Sequence, residues 1–162
     1  MTDILTGTEL FMRAAGQPIP DRPAVPAAET IALRLSLLVE EVNELCRAVG
    51  FDDIDHYLDC AANDAVEWQL SRTDLGGIDI VEMVDAFHDI VVVAHGGALE
   101  TAGSDATKAT AAEVTRSNLD KVVDGKVLRR EDQKIMKPEN WTPPQIAAVL
   151  EAYKLSAGDS HA

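Results

Sequence analysis

The stretch ETIALRLSLLVEEVNELCRAV, residues 29–49, decides the fold of this chain. Its apolar residues recur at steps of three and four, which place them on one face of an α-helix: Ile31, Leu35, Leu38, Val42 and Leu45. Thr30 is a plausible cap at the start. Gly50, which tolerates the left-handed conformation, suits the end. The stretch therefore predicts one long amphipathic helix.

The remaining sequence predicts further helices on the same grounds. Residues 3–14 form a short helix with Leu5, Leu10 and Phe11 inward. Another helix begins at Asp52 or Asp53 and runs to about Leu70. A third strong helix covers about Ile78 to Ala102, because its flanks continue a helical period through the valine-rich DIVVVA. Asp105 is expected to cap the next helix, and Pro143-Pro144 opens the last.

Two connectors complete the plan of the chain. GQPIPDRPAVPAAE, residues 16–29, holds four prolines and predicts an ordered, extended strap. Asp124-Gly125 predicts a small hairpin or loop. We expect a single all-α domain with a four-helix bundle core: residues 1–28 as helix and strap, 29–120 as helical core, and 121–162 as a loop plus a short terminal helix. Two of the helices are apolar on more than one face, which predicts that another subunit completes or extends the bundle.

The charge of the chain limits its partners. It has 28 acidic and 14 basic residues and a net charge of −14. A nucleic-acid polymer or an anionic membrane would be repelled, whereas bound metal ions can reverse the local sign for a small anionic substrate. No apolar run reaches the roughly 18 residues of a membrane span, and no secretory signal pattern opens the chain. Cys46 and Cys60 are expected to be buried thiols in a reducing cytoplasm.

Carboxylates are concentrated on two of the predicted helices. Glu40, Glu41 and Glu44 lie three and four residues apart on one, and Glu82, Asp85 and Asp89 form a similar ladder on the other. A solvated acidic face is the ordinary explanation of such a pattern. Because both ladders border apolar stripes, we favour a site for Mg²⁺ or Mn²⁺, which prefer carboxylate oxygens. A di-iron bundle needs Glu-x-x-His twice, and it is disfavoured because the helix of residues 78–102 offers only Asp85-x-x-His88 and the helix of residues 29–49 has no histidine.

Basic residues are concentrated near one polar segment. Seven of the fourteen Lys and Arg residues fall between Arg116 and Lys137. We expect four cations to neutralise phosphates: Arg116, Lys121, Lys134 and Lys137. Asn118 is expected to hydrogen-bond a base or sugar, and Trp141 to stack on a base. Pairing with nearby acids such as Asp120 and Glu131 is the alternative for the cations, and anchoring of the loop is the alternative for Trp141. Arg22, in the proline strap, is a further candidate phosphate or subunit contact.

Several motifs together resemble the all-α nucleoside triphosphate pyrophosphohydrolase superfamily, which includes MazG-like proteins, dimeric dUTPases and phosphoribosyl-ATP pyrophosphohydrolases. The resemblance runs from about Phe11 to Leu150 and is nearest to the MazG-like, phosphoribosyl-ATP-pyrophosphohydrolase-like branch. It rests on PDRPAVP, LLVEEVNEL, VDAFHDIVVVAHG, EVTRSNLDKVVDGKV and KIMKPENWTPP.

The resemblance implies Mg²⁺-dependent hydrolysis of a nucleoside triphosphate to the monophosphate and pyrophosphate. Glu41 and Glu44 match the first ExxE pair, with Glu40 before it, and are the implied catalytic pair. The second pair is either Glu82-x-x-Asp85 or a set centred on Asp85 and Asp89. Asn118 and Lys121 match residues that the family uses on its substrate.

The resemblance also implies a cytoplasmic homodimer or homotetramer that removes unwanted nucleotides. Two other hypotheses remain open. In one the chain is a nucleotide-binding or helical interaction protein without turnover, and in the other it is a phosphoribosyl-ATP pyrophosphohydrolase.

Overall fold

A computed structural model of the chain describes residues 2–51, 77–130 and 135–158, with residues 57, 58, 60, 61, 63, 64, 67 and 68 between them. For residues 155–158 only the backbone is described. The described part is mostly helical, which confirms the all-α class. The four-helix bundle core remains a prediction.

The helices follow the predicted order with small shifts at their ends. In chain order they are α1 (Ile4–Ala14), α2 (Ala28–Ala48), α3 (Ile80–Ala102), α4 (Ser104–Leu119) and α5 (Ile146–Gly158). The described residues between 57 and 68 are helical too, as predicted. The predicted ends of that helix, at Asp52 or Asp53 and at Leu70, lie outside the described residues. In the described part, no helix is both long enough and apolar enough to cross a membrane.

The only regular strands among the described residues form the hairpin predicted at Asp124-Gly125. Strands β1 (Val122–Val123) and β2 (Lys126–Val127) pair antiparallel, with Val122 opposite Val127. Asp124 and Gly125 have φ of 52° and 75°, the left-handed pair that a tight two-residue turn requires. The strap between α1 and α2 is free of helix, as its prolines predict.

Two predicted helix caps are wrong. Thr30 does not cap α2, because it lies inside the first turn of the helix. The N-cap is Ala27, which makes no side-chain hydrogen bond. Asp105 lies inside the first turn of α4, which starts after Gly103 at φ 76°. Asp3, by contrast, caps α1 by accepting the backbone N–H groups of Leu5 and Thr6, both at 3.0 Å.

The residues fall into two compact units, residues 1–21 with 86–162 and residues 22–85. In the first unit α1 and α5 pack against α4. The buried residues of α4 are small, namely Ala106, Thr107, Thr115 and Ser117, so neighbouring backbones approach it closely. In the second unit the buried residues described on α2 are Ala32 and Asn43.

Several apolar residues are more exposed than the sequence suggested. Leu5 and Leu10 were expected to point inward and are both exposed, because α1 contacts α4 through Gly7, whose missing side chain leaves room for the Thr115 methyl group. Val92 and Val93 of α3 are 68% and 75% exposed. The two cysteines were expected to be buried, but Cys60 is exposed and Cys46 only half-buried.

Candidate functional site

The carboxylates of α2 form the first part of the candidate site. Glu40, Glu41 and Glu44 lie on the exposed surface of the helix, within one and a quarter turns of each other. Partial burial, followed by repulsion from Glu44 and Glu40, raises the pKa of Glu41. The pattern identified in the sequence is therefore a cluster of like charges that interact electrostatically. Such a cluster favours either a shared proton or a bound cation.

The carboxylates of α3 form the second predicted ladder. Glu82, Asp85 and Asp89 are all exposed on this helix. Asp79 precedes them and accepts the backbone N–H groups of Val81 at 2.9 Å and Glu82 at 3.2 Å, so it fixes the start of the helix. Among the residues that the structure describes, no three Asp, Glu, His or Cys side chains come together as a metal cage. The ligand set named from the sequence stays a prediction.

A second group of residues does come together, and all of them except Phe11 were predicted to belong to the site. Lys121, Lys137, Trp141, Asn118 and Phe11 form what we call the lysine cluster. Lys137 Nζ lies 4.3 Å from the centroid of the Trp141 ring. Lys121 Nζ lies 5.7 Å from the same ring and 5.8 Å from that of Phe11. It also donates to Asn118 Oδ1 at 2.9 Å.

The two lysines of the lysine cluster have no carboxylate partner among the described residues. Partial burial, together with repulsion from Lys137, lowers the pKa of Lys121. Within the described ranges no carboxylate lies within 4.0 Å of either lysine. Aromatic faces attract cations but do not neutralise them. Among the described residues, the two ammonium groups therefore lack a paired carboxylate, although the protein has a net charge of −14.

Arg116 occupies a different environment from the one expected of a substrate contact. Its guanidinium donates to both carboxylate oxygens of Glu113, at 2.7 to 3.0 Å, and pairs with Asp120. It also donates to Thr142 Oγ1 at 3.0 Å and to the carbonyl oxygen of Pro143 at 3.2 Å. Pairing with nearby acids was the alternative interpretation of this arginine in the sequence, and Asp120 is confirmed as one partner. The bonds with Glu113 and Asp120 raise the pKa of Arg116, and the same bond with Arg116 lowers that of Glu113.

Two other predicted contacts stand apart from these clusters. Arg22 is exposed in the extended strap, in the unit formed by residues 22–85. Lys134 lies outside the described residues.

Some residues of these clusters were not found from the sequence. Phe11 lies 110 positions before Lys121, and only the packing of α1 on α4 brings it close. Glu113 carries a recognisable signal, because an acid three residues before an arginine on a helix predicts an ion pair. The backbone carbonyl of Ser117, which accepts the Trp141 indole N–H at 2.7 Å, gives no signal in the sequence.

An apolar groove of about 630 Å³ lies within the first unit. It is lined by residues of α1, α3, α4 and α5, including Leu5, Val91, His95 and Val114. The hydroxyl groups of its two threonines are already bonded to backbone, Thr107 to Ala98 at 3.0 Å and Thr110 to Thr107 at 3.0 Å. None of the predicted site residues lines this groove.

Comparison with known proteins adds no family to this description. No protein-family model, no curated protein and no solved structure matches the chain.

Proposed function

We propose that this chain is a Mg²⁺-dependent nucleoside triphosphate pyrophosphohydrolase of the MazG-like kind. It would use water to cleave a nucleoside or deoxynucleoside triphosphate into the monophosphate and pyrophosphate, as part of cleaning the nucleotide pool. The observation that carries the proposal is the grouping of Glu40, Glu41 and Glu44 on the exposed surface of α2, where partial burial, followed by repulsion from Glu44 and Glu40, raises the pKa of Glu41. Side chains in this arrangement repel one another unless a cation or a proton lies between them.

The donor chemistry of these residues fits Mg²⁺, and Mn²⁺ as a substitute. Both ions prefer hard carboxylate oxygens. A magnesium ion in a nucleotide site is usually held by one or two carboxylates together with substrate phosphates and water, so a complete protein cage is not required. Glu41 and Glu44 would hold it, with Glu40 beside them and with Glu82, Asp85 and Asp89 as the further ligands implied by the resemblance. When bound, the ion neutralises phosphate charge and orients the chain of phosphates.

The residues of the chain then have separate tasks. Glu41 is the glutamate that we assign as the base, accepting the proton of the attacking water. Glu44, three residues along the same helix, would hold the ion beside it. Lys121 and Asn118 contribute hydrogen bonds to the substrate, and cations offset the charge that develops on the phosphates. Nothing in these groups selects a particular base.

The exposed apolar surface supports a homodimer or homotetramer as the working form. Val81, Val92 and Val93 of α3 are each more than two-thirds exposed, and Leu45 and Val49 of α2 are exposed as well. Exposed apolar side chains on helices are common at subunit interfaces. We propose that a second copy of the chain covers part of it.

A substrate panel tests the proposed activity. Purified protein is incubated with each common nucleoside and deoxynucleoside triphosphate, and with phosphoribosyl-ATP, in Mg²⁺ or in EDTA, and pyrophosphate release is measured. Release from at least one triphosphate, only with the metal, is expected. Turnover confined to phosphoribosyl-ATP would assign the chain to histidine synthesis instead. Thermal stabilisation by nucleotides without any turnover would contradict an enzyme and favour a nucleotide-binding protein.

A further inference from the structure

The lysine cluster holds two cations on one aromatic residue. Trp141 is itself fixed, because its indole N–H donates to the Ser117 carbonyl oxygen at 2.7 Å. With the ring fixed, the ammonium group of Lys137 rests on it at 4.3 Å, and Lys121 lies at 5.7 Å. Two separate attractions therefore hold two like charges near one ring, although the charges repel each other.

This geometry disfavours a nucleobase on Trp141. A stacked base needs to approach within van der Waals distance of a ring face, and Lys137 already occupies the space over the ring at 4.3 Å. Stacking there would displace a cation from a favourable position. An anion placed beside the two ammonium groups, in contrast, would relieve their mutual repulsion.

We propose that Trp141 is a positioning residue that presents Lys121 and Lys137 as a two-cation site for an oligophosphate chain. The proposal rests on the proposed function in that the natural ligand would be the phosphate chain of the nucleotide. It goes further in giving Trp141 a role other than base stacking, and in making Lys121 and Lys137 act together as one site that this ring positions. Asn118, which accepts from Lys121 at 2.9 Å, holds the second ammonium group in place.

The chemistry of the site points to a short, multiply charged anion. A phosphate chain carries charge on successive groups, so two cations are able to bind neighbouring phosphates at once. A long nucleic acid shares that charge but meets a protein of net charge −14 along its whole length. A nucleotide or inorganic oligophosphate meets only the local site.

Calorimetric titration with inorganic tripolyphosphate in EDTA tests the site without catalysis or a base. Lys137→Met and Lys121→Met are each expected to weaken binding about tenfold to hundredfold, the worth of one charge-assisted bond. Lys108→Met is the matched control, since it makes the same charge change at an exposed lysine paired with Asp105 and should bind like wild type. Wild-type protein that fails to bind, or a Lys137→Met protein that binds normally, would overturn the site.

Two variants of Trp141 test its positioning role. Phe keeps an aromatic face but not the bond to the Ser117 carbonyl oxygen, so Trp141→Phe should lose some binding, but less than the lysine variants lose. Trp141→Leu removes the face and should lose as much binding as the lysine variants. The ring-current shift of the Lys137 methylene protons, read by NMR, should be present in the Phe variant and absent in the Leu variant. Normal binding by the Leu variant would contradict the role of Trp141. Tripolyphosphate binding by a protein that hydrolyses no triphosphate would separate this site from the proposed enzyme activity.

Discussion

Trp141 and Ser117 are joined by a hydrogen bond of 2.7 Å from the indole N–H to the backbone carbonyl oxygen, although 24 residues separate them in sequence. Ser117 also donates its hydroxyl to the carbonyl oxygen of Thr142 at 3.1 Å. The end of α4 and the segment that leads into α5 therefore support each other. Asn118 and Lys121 follow directly on the α4 side, so this junction fixes the position of the lysine cluster.

The Arg116 network predicts a stability effect at the same junction. Arg116→Lys replaces a planar fork by a single ammonium group, which is unable to reach Glu113, Asp120 and Pro143 together. The melting temperature should fall more than in Arg13→Lys, where one exposed pair with Glu9 at 2.8 Å is altered. Thermal unfolding by circular dichroism measures both. A raised KM with an unchanged melting temperature would instead support the substrate role expected from the sequence.

The contact of Gly7 with α4 predicts that Gly7→Ala lowers stability, although alanine is the better helix former. In an exposed helix Gly→Ala is stabilising by up to about 1 kcal/mol. A Cβ at residue 7 would overlap the Thr115 methyl group, so Gly7→Ala should destabilise the protein by about 1–3 kcal/mol. Chemical denaturation gives the free energy of unfolding.

Thr115, the residue that Gly7 contacts on α4, supplies the control for this prediction. Thr115→Ser removes the methyl group but keeps the hydroxyl that donates to Ala111 at 2.9 Å. The double variant Gly7→Ala with Thr115→Ser should recover most of the loss. A Gly7→Ala protein as stable as wild type would show that α1 does not pack on α4 through this glycine.

Helix periodicity allowed the all-α class and the order of the elements to be predicted. The bounds of α2 moved by a single residue, and the left-handed turn of the hairpin followed from Asp124-Gly125. Caps were harder to predict, because Thr30 and Asp105 are chemically suited to a cap, yet the helices start before them. Packing of the whole element, rather than the preference of one side chain, sets such starts.

The candidate site was predictable where its residues are close in sequence. Glu40, Glu41 and Glu44 interact because helix geometry places them together, and this is visible from spacing alone. The lysine cluster needed tertiary structure, since Phe11 and Trp141 reach Lys121 from opposite ends of the chain. The pairing of Arg116 with Glu113 and Asp120 is predictable from helix spacing, whereas its bonds to Thr142 and Pro143 depend on tertiary structure.

The exposed valines of α3 predict an interface that a single charge would disrupt. Val93 is 75% exposed in the isolated chain, and Val93→Glu would place a carboxylate in any apolar contact made there. The mass in solution, measured by light scattering after size exclusion, should fall to that of a smaller assembly. Val123→Glu, an equal charge change on β1, should leave the mass unchanged. A wild-type protein that is already monomeric would contradict the proposed interface.

The raised pKa of Glu41 predicts that stability depends on pH. Glu41 has a higher pKa when folded than the ordinary value of 4.5, so its favourable contribution is complete below that value and is lost as pH rises through the folded pKa. Above that range Glu41→Gln should be more stable than wild type without metal. Below it the two should be alike. Urea unfolding at a series of pH values in EDTA measures this difference, and a constant difference across the series would contradict the raised pKa.

The same substitution predicts opposite changes in stability and activity. Glu41→Gln relieves repulsion in the metal-free protein but removes both a metal ligand and the proposed base. Pyrophosphate release with Mg²⁺ should fall about 10²- to 10⁴-fold, the usual effect of losing a general base, while helix content is unchanged.

Addition of Mg²⁺ should raise the melting temperature of wild type more than that of the variant, because binding to the folded state is stabilising. Glu29→Gln, an exposed change in the first turn of the same helix, should keep full activity. Full activity in Glu41→Gln would show that the α2 carboxylates do not form the active site, because Glu41 is both the proposed base and a proposed metal ligand.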